Sequence, residues 1–200
     1  LPSISSSNIA CAEGGLMVTN DQKLAERVRL IRSHGMTSLS FDRARGHATE
    51  YDVVARGYNF RLDDIRASLA LAQFRKLPED LAARVKLRAH YVERLRTLPG
   101  ISIPYLDCPH LSSHYILPIL VNEGGAARRA TIREAMARRG VQTSVHYPAA
   151  HRFAIYAPLG AKLSKTEHVT DHEITLPLFP RMTEVMVDEV VAALKGALAG

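Results

Sequence analysis

"GYNFRLDDIRASLALAQ", residues 57–73, places an aromatic ring, an amide and a guanidinium directly before the start of a helix. Asp63 or Asp64 is the cap, and Ile65, Leu69 and Ala72 recur at helical spacing. A helix N-terminus presents free N–H groups and the positive end of the helix dipole, so an anion such as phosphate is a natural guest there. An Asx-type turn with a capping aspartate accounts for the same residues equally well.

Toward the N-terminus, residues 36–56 show no apolar period. They read as a loop of about 20 residues, and loops longer than about 12–15 are usually functional or mobile. Gly46, His47 and the run Tyr51-Asp52-Val53-Val54 lie in it. Before the loop, Leu16-Met17-Val18 reads as a short strand. Asp21 caps a helix with Leu24, Val28 and Ile31 on one face, which ends at Gly35. Glu13-Gly14-Gly15 reads as a turn that needs positive φ.

Toward the C-terminus, Pro78 with Glu79 and Asp80 carries the signature of a helix first turn. A second, longer helix over 79–98 is expected, with Leu81, Val85, Tyr91 and Leu95 along it and Pro99-Gly100 ending it. Beyond Gly100, strands are predicted over 101–105, 115–121 and 143–147, and helices over 126–139 and 183–198. This alternation is of the α/β class. The organisation expected is residues 1–77 as one unit, 78–99 as a connecting helix and 100–200 as a smaller α/β domain. The first piece has too few strands to make a complete domain.

Composition bounds what the chain can do. Its 200 residues are 46% apolar and 23% charged, enough for one sizeable core. No stretch approaches the roughly 18 consecutive apolar residues of a membrane span, and residues 1–12 lack the pattern of a signal peptide, so a cytoplasmic protein is expected. Cys11 and Cys108 form no CxxC pair, which argues against a disulfide framework or a cysteine zinc site. Of the 26 basic residues twenty are arginine, and the net charge is +6. They are spread along helix faces among acids and without aromatic stacking platforms, which argues against nucleic acid and leaves anionic small molecules.

Two histidine groups are candidate sites. His168 and His172 stand four residues apart, but no HExxH motif or third ligand accompanies them, so a surface helix is the better reading. His146, Tyr147 and His151 surround Pro148 at the end of a predicted strand, where loops tend to carry function; a structural and a functional role are equally open.

The stretches "NIACAEGGLMVTND" (8–21), "RSHG" (32–35), "YDVVARGYNFRLDDIRASLALAQ" (51–73), "TSVHYP" (143–148) and "LPLFPRMT" (176–183) together resemble the DegT-like (DegT/StrS) sugar aminotransferases, from Asn8 to the last residue. The resemblance implies a fold type I transferase using pyridoxal phosphate (PLP), with residues 8 to about 77 ending the large PLP domain and the remainder forming the small C-terminal domain. It implies a homodimer in which Asn59 reaches the PLP phosphate of the neighbouring subunit. His146 and Tyr147 would border the entrance where a nucleotide-linked keto sugar lies, with an amino donor as the second substrate. In such enzymes the Schiff-base lysine directly precedes the Asn that matches Asn8, and here that residue is Ser7. The acid that pairs with the pyridine nitrogen would lie upstream. The expectation is therefore the C-terminal portion of a DegT-like aminotransferase, inactive alone and without covalently bound PLP. A truncated or frameshifted reading frame is one origin; a shortened paralogue with an interaction or regulatory role is the alternative. A basic nucleic-acid-binding module remains as a third reading.

Overall fold

The computed structural model describes residues 8–37, 50–107 and 112–200; Ser7, Gly46, His47 and Cys108 lie outside them. The chain divides into two compact units, Leu1–Arg75 and Lys76–Gly200.

In the N-terminal unit, helix α1 spans Gln22–Ile31, and the Asp21 carboxylate caps it by accepting from Lys23 N and Leu24 N, as the sequence predicts. Past its end the chain turns through Gly35 at φ +70, with Gly35 N donating to Leu30 O at 2.9 Å. The segment around Gly57 is laid against this turn. His34 N donates to Tyr58 O, Tyr58 N to Ile31 O, and Val54 N to Gly35 O. Gly57 is required by this close approach, because a Cβ there would stand 2.3 Å from Gly35 N and 2.5 Å from His34 C. Leu16–Val18 does not pair as the expected strand among the described residues. A strand exists only through its neighbours, and an apolar run does not supply them.

Helix α2 spans Asp64–Leu95 without interruption, through Pro78 and across the division between the units. This corrects the expectation of a separate helix over 79–98. Proline removes one donor and is usually disruptive inside a helix, yet here the ladder resumes on both sides of it. Of the residues expected along that helix, Tyr91 and Leu95 are buried. Arg84 and Leu87 are buried with them while Val85 is exposed, because Leu87, Tyr91 and Leu95 enter the hydrophobic core of the C-terminal unit.

In the C-terminal unit β1 (Ile101–Ser102), β2 (Leu117–Val121) and β3 (Glu173–Leu176) form an antiparallel sheet in that order. The strands expected over 101–105 and 115–121 are thus shorter. That over 143–147 is reduced to one antiparallel bridge between Ser144 and Thr175. Pro118 sits in the central strand opposite Thr175. Thr175 exchanges both backbone hydrogen bonds with Ser144 on its other side, so Pro118 occupies a pair that needs no N–H.

Helices α3 (Gly125–Arg138), α4 (Ser164–His172) and α5 (Glu184–Leu198) complete this unit. Ile132 and Met136 of α3 and Val187, Val190, Val191 and Leu194 of α5 enter the core, as their spacing predicts. Arg84 is buried and donates to the carbonyls of His114, Tyr115 and Leu178, while the Tyr91 hydroxyl donates to Pro177 O. These bonds tie α2 to the ends of β2 and β3 and satisfy backbone oxygens that the core would otherwise leave unpaired.

Candidate functional site

Two sequence segments singled out separately, Glu13-Gly14-Gly15 and Asn59-Phe60-Arg61-Leu62, line one groove of about 960 Å³ in the N-terminal unit. Positive φ falls on Ala12 rather than on the glycine pair. Gly14 instead allows close packing, since a Cβ there would lie 3.2 Å from both Cys11 Sγ and Leu62 Cδ1. Asn59 is held by its antiparallel bridge to Ser33, and the flanking Tyr58 and Phe60 rings stack with centroids 4.9 Å apart. The Asn59 side-chain oxygen accepts from Arg61 Nε at 3.1 Å, which orients the amide and turns its NH₂ donors away from that pair. At the start of α2 the Asp63 carboxylate accepts from Arg66 N at 2.9 Å, and this bond holds its pKa below the ordinary value.

Arg29 of α1 and Arg32, its C-cap, join Arg61 and Arg66 in the lining, against the single acid Glu13 among the described residues. Sequence reasoning missed Arg29 and Arg32 as site residues, reading them as scattered surface charge. Their helical spacing was the available signal. The groove suits an anion, with guanidinium and amide donors in one lining.

In the C-terminal unit, His146 lies beside β3. Its backbone N donates to Glu173 Oε2 at 3.0 Å, and its Nδ1 is 2.9 Å from Thr175 Oγ1. Thr175 Oγ1 in turn donates to Glu173 Oε1. Burial holds the His146 imidazole below its ordinary pKa and pushes the Glu173 carboxyl up, the latter opposed by hydrogen bonds from Thr175 and His146 N. Tyr147 follows with its ring edge-on to His146 at 4.8 Å, and Tyr115 lies edge-on at 6.5 Å. The Tyr147 carbonyl accepts from Thr170 Oγ1 of α4. Glu173 and Thr175 were missed by sequence reasoning; a carboxylate inside the apolar run "EITLPLF" was the signal.

His151 is not part of this cluster. Its Nε2 pairs with Glu167 Oε1 at 3.0 Å, and Arg152 binds Asp171 through two bonds of 2.6 and 2.9 Å, tying the segment after Pro148 to α4. His168 and His172 sit on α4 with ring centroids 4.2 Å apart. No group of three metal-ligating side chains exists among the described residues.

The family model of the DegT/DnrJ/EryC1/StrS aminotransferases matches residues 5–195. The chain belongs to this family. Solved structures of sugar aminotransferases agree with it in fold. PseC of Helicobacter pylori, an aminotransferase involved in the biosynthesis of pseudoaminic acid, matches with a TM-score of 0.86 at 29% identity over 96% of this chain and 51% of its own. The aminotransferase TlmJ of Streptoalloteichus hindustanus matches with a TM-score of 0.76 at 28% identity over 90% of this chain and 46% of its own. For the PLP form of the putative sugar aminotransferase Spr1654 of Streptococcus pneumoniae the values are 0.82, 24%, 96% and 49%. The chain thus spans about half the length of the structures it matches. The fold is part of the fold type I PLP-dependent transferase architecture, and PLP is the cofactor of the DegT-like family.

Tested against that cofactor, the groove fits the phosphate end of PLP. Its arginines and the Asn59 amide suit a phosphate, but no lysine is among the described residues of the lining to bond the aldehyde. No helix among the described residues is long and apolar enough to cross a membrane.

Proposed function

We propose that this chain carries the phosphate-anchoring and sugar-nucleotide-binding half of a DegT-like aminotransferase acting on nucleotide-linked keto sugars, and that the 200-residue polypeptide alone does not transaminate. The observation that carries this reading is the groove in which four arginines and the Asn59 amide share one lining with the Glu13-Gly14-Gly15 segment. PLP, when bound, supplies the electron sink through which an amino group passes from donor to keto sugar.

In this reading the protein works in the cytoplasm as a homodimer. Asn59 directs its amide donors at the cofactor phosphate of the neighbouring subunit, which an amide does without adding charge. The arginines draw in anionic groups over a longer range. His146 and Tyr147 border the sugar nucleotide. Residues 1–77 end the large domain, 78–99 connect, and 100–200 form the small domain. Ser7 stands at the lysine position, and a serine hydroxyl cannot replace an amine in holding PLP or in moving a proton at the reacting carbon.

Incubation with PLP, borohydride reduction and peptide mapping tests the reading directly. Scattered surface labelling of the six lysines, at 23, 76, 86, 162, 165 and 195, is expected, with no turnover of a keto sugar nucleotide. Stoichiometric PLP on one lysine together with turnover would refute it. When the chain is paired with a complementary N-terminal half from a family member, Asn59→Ala should weaken PLP retention more than Asn122→Ala.

A further inference from the structure

A threonine hydroxyl has one proton to donate. Thr175 Oγ1 gives that proton to Glu173 Oε1, so its lone pairs face His146 Nδ1, 2.9 Å away, and Nδ1 must be the donor in that contact. A neutral imidazole protonated on Nδ1 carries its free lone pair on Nε2. Glu173 therefore holds His146 twice: directly through the backbone N–H at 3.0 Å, and through Thr175 at the ring. Glu173 and Thr175 are 3% and 5% exposed, so water has little access with which to replace either bond.

We propose that Glu173, acting through Thr175, is a positioning residue for His146: it keeps the ring proton on Nδ1 and leaves Nε2 as a hydrogen-bond acceptor for a sugar hydroxyl. The inference rests on the reading of His146 as a residue that meets the sugar nucleotide. It also makes the ring sensitive to the charge of Glu173. When Glu173 takes a proton, the Nδ1 proton passes to Thr175 Oγ1, the Thr175 proton passes to Glu173, and Nε2 binds one proton from solvent. The ring stays neutral but now presents a donor instead of an acceptor. Arg129 and Arg133 of α3 oppose that change by favouring the Glu173 carboxylate, whereas burial favours its protonation. Tyr115 and Tyr147 flank the ring edge-on.

The test is the imidazole nitrogen spectrum of the ¹⁵N-histidine-labelled chain across pH, with the His146 signals identified by their loss in His146→Asn. At neutral pH Nδ1 should be protonated and Nε2 bare, and the two positions should exchange character on acidification as Glu173 titrates. Glu173→Gln should abolish that acid-side exchange. Thr175→Val should let the proton move to Nε2, and Thr175→Ser should restore the wild-type pattern. If Thr175→Val fails to fold, Thr175→Ser and Glu173→Gln still decide the matter. A proton on Nε2 at neutral pH in the unsubstituted chain, or an acid-side exchange that persists in Glu173→Gln, would overturn the proposal. The substrate reading of His146 fails separately: it is lost if His146→Asn leaves the sugar-nucleotide KM of a reconstituted enzyme unchanged, whatever the ring spectrum shows.

Discussion

Tyr91, Ile119, Ile132, Ile174 and Leu194 of the C-terminal unit are fully buried, whereas Leu16, Val18 and Ile65 of the N-terminal unit are 85%, 83% and 82% exposed. Helix α1 buries none of its residues, and the order of its unit comes from the Asp21 cap and from backbone bonds between the turn at Gly35 and the segment at Gly57. One unit is held by apolar packing, the other largely by polar contacts worth about 0.5–1.5 kcal/mol each. The residues suited to phosphate therefore sit in the less consolidated unit, while the His146 cluster is backed by a closed core. Apolar residues at helical spacing occur in both, so spacing specifies a helix without specifying that its face is covered.

The largest expected effect tests that contrast. Ile119→Ala in the C-terminal core should lower stability by about 2–5 kcal/mol. Ile65→Ala should change it by less than about 0.5 kcal/mol, as for exposed positions generally. Urea unfolding followed by circular dichroism measures both, and equal losses would remove the distinction. Limited proteolysis sharpens it: a resistant fragment should begin near the division at Arg75, and uniform protection from residue 8 onward would contradict it.

Arg84→Ala comes next. It deprives the carbonyls of His114, Tyr115 and Leu178 of their shared donor and should cost about 1–3 kcal/mol of stability, read from urea unfolding. Gly57→Ala should act on the other unit, because its Cβ meets the Gly35 and His34 backbone. Hydrogen exchange should quicken at the His34 and Tyr58 amides while the β2 and β3 amides stay protected. Exchange unchanged at His34 would mean that the turn absorbs the extra atom.

The smallest expected effect is the pH dependence contributed by Glu173. Its folded pKa lies above the ordinary carboxylate value because of burial, so the native state holds the proton more firmly than the unfolded chain. This contribution to stability is fully present below the ordinary value and is lost as pH rises through the elevated one. The stability of the wild type relative to Glu173→Gln should therefore fall across that window and level off above it. A difference independent of pH would place the Glu173 pKa at its unfolded value.

The sequence by itself determined the local signals: the Asp21 cap, an aspartate cap at 63 or 64, the Gly35 turn, the buried stripe of α5 and the family carried by five short stretches. Each depends on residues within a few positions of one another, where backbone conformation and side-chain type decide the outcome. Tertiary structure decided the rest. It carried α2 through Pro78, buried Arg84 and Leu87 rather than Val85, left Leu16–Val18 without a strand partner among the described residues and set Pro118 where no N–H is needed. It also assembled both sites. Arg29 and Arg32 meet Asn59 because the turn at Gly35 folds the chain back on α1, and Glu173 meets His146 because β3 bridges to Ser144. Burial and pairing depend on what packs alongside, and residues distant in sequence announce that only when the chain has folded.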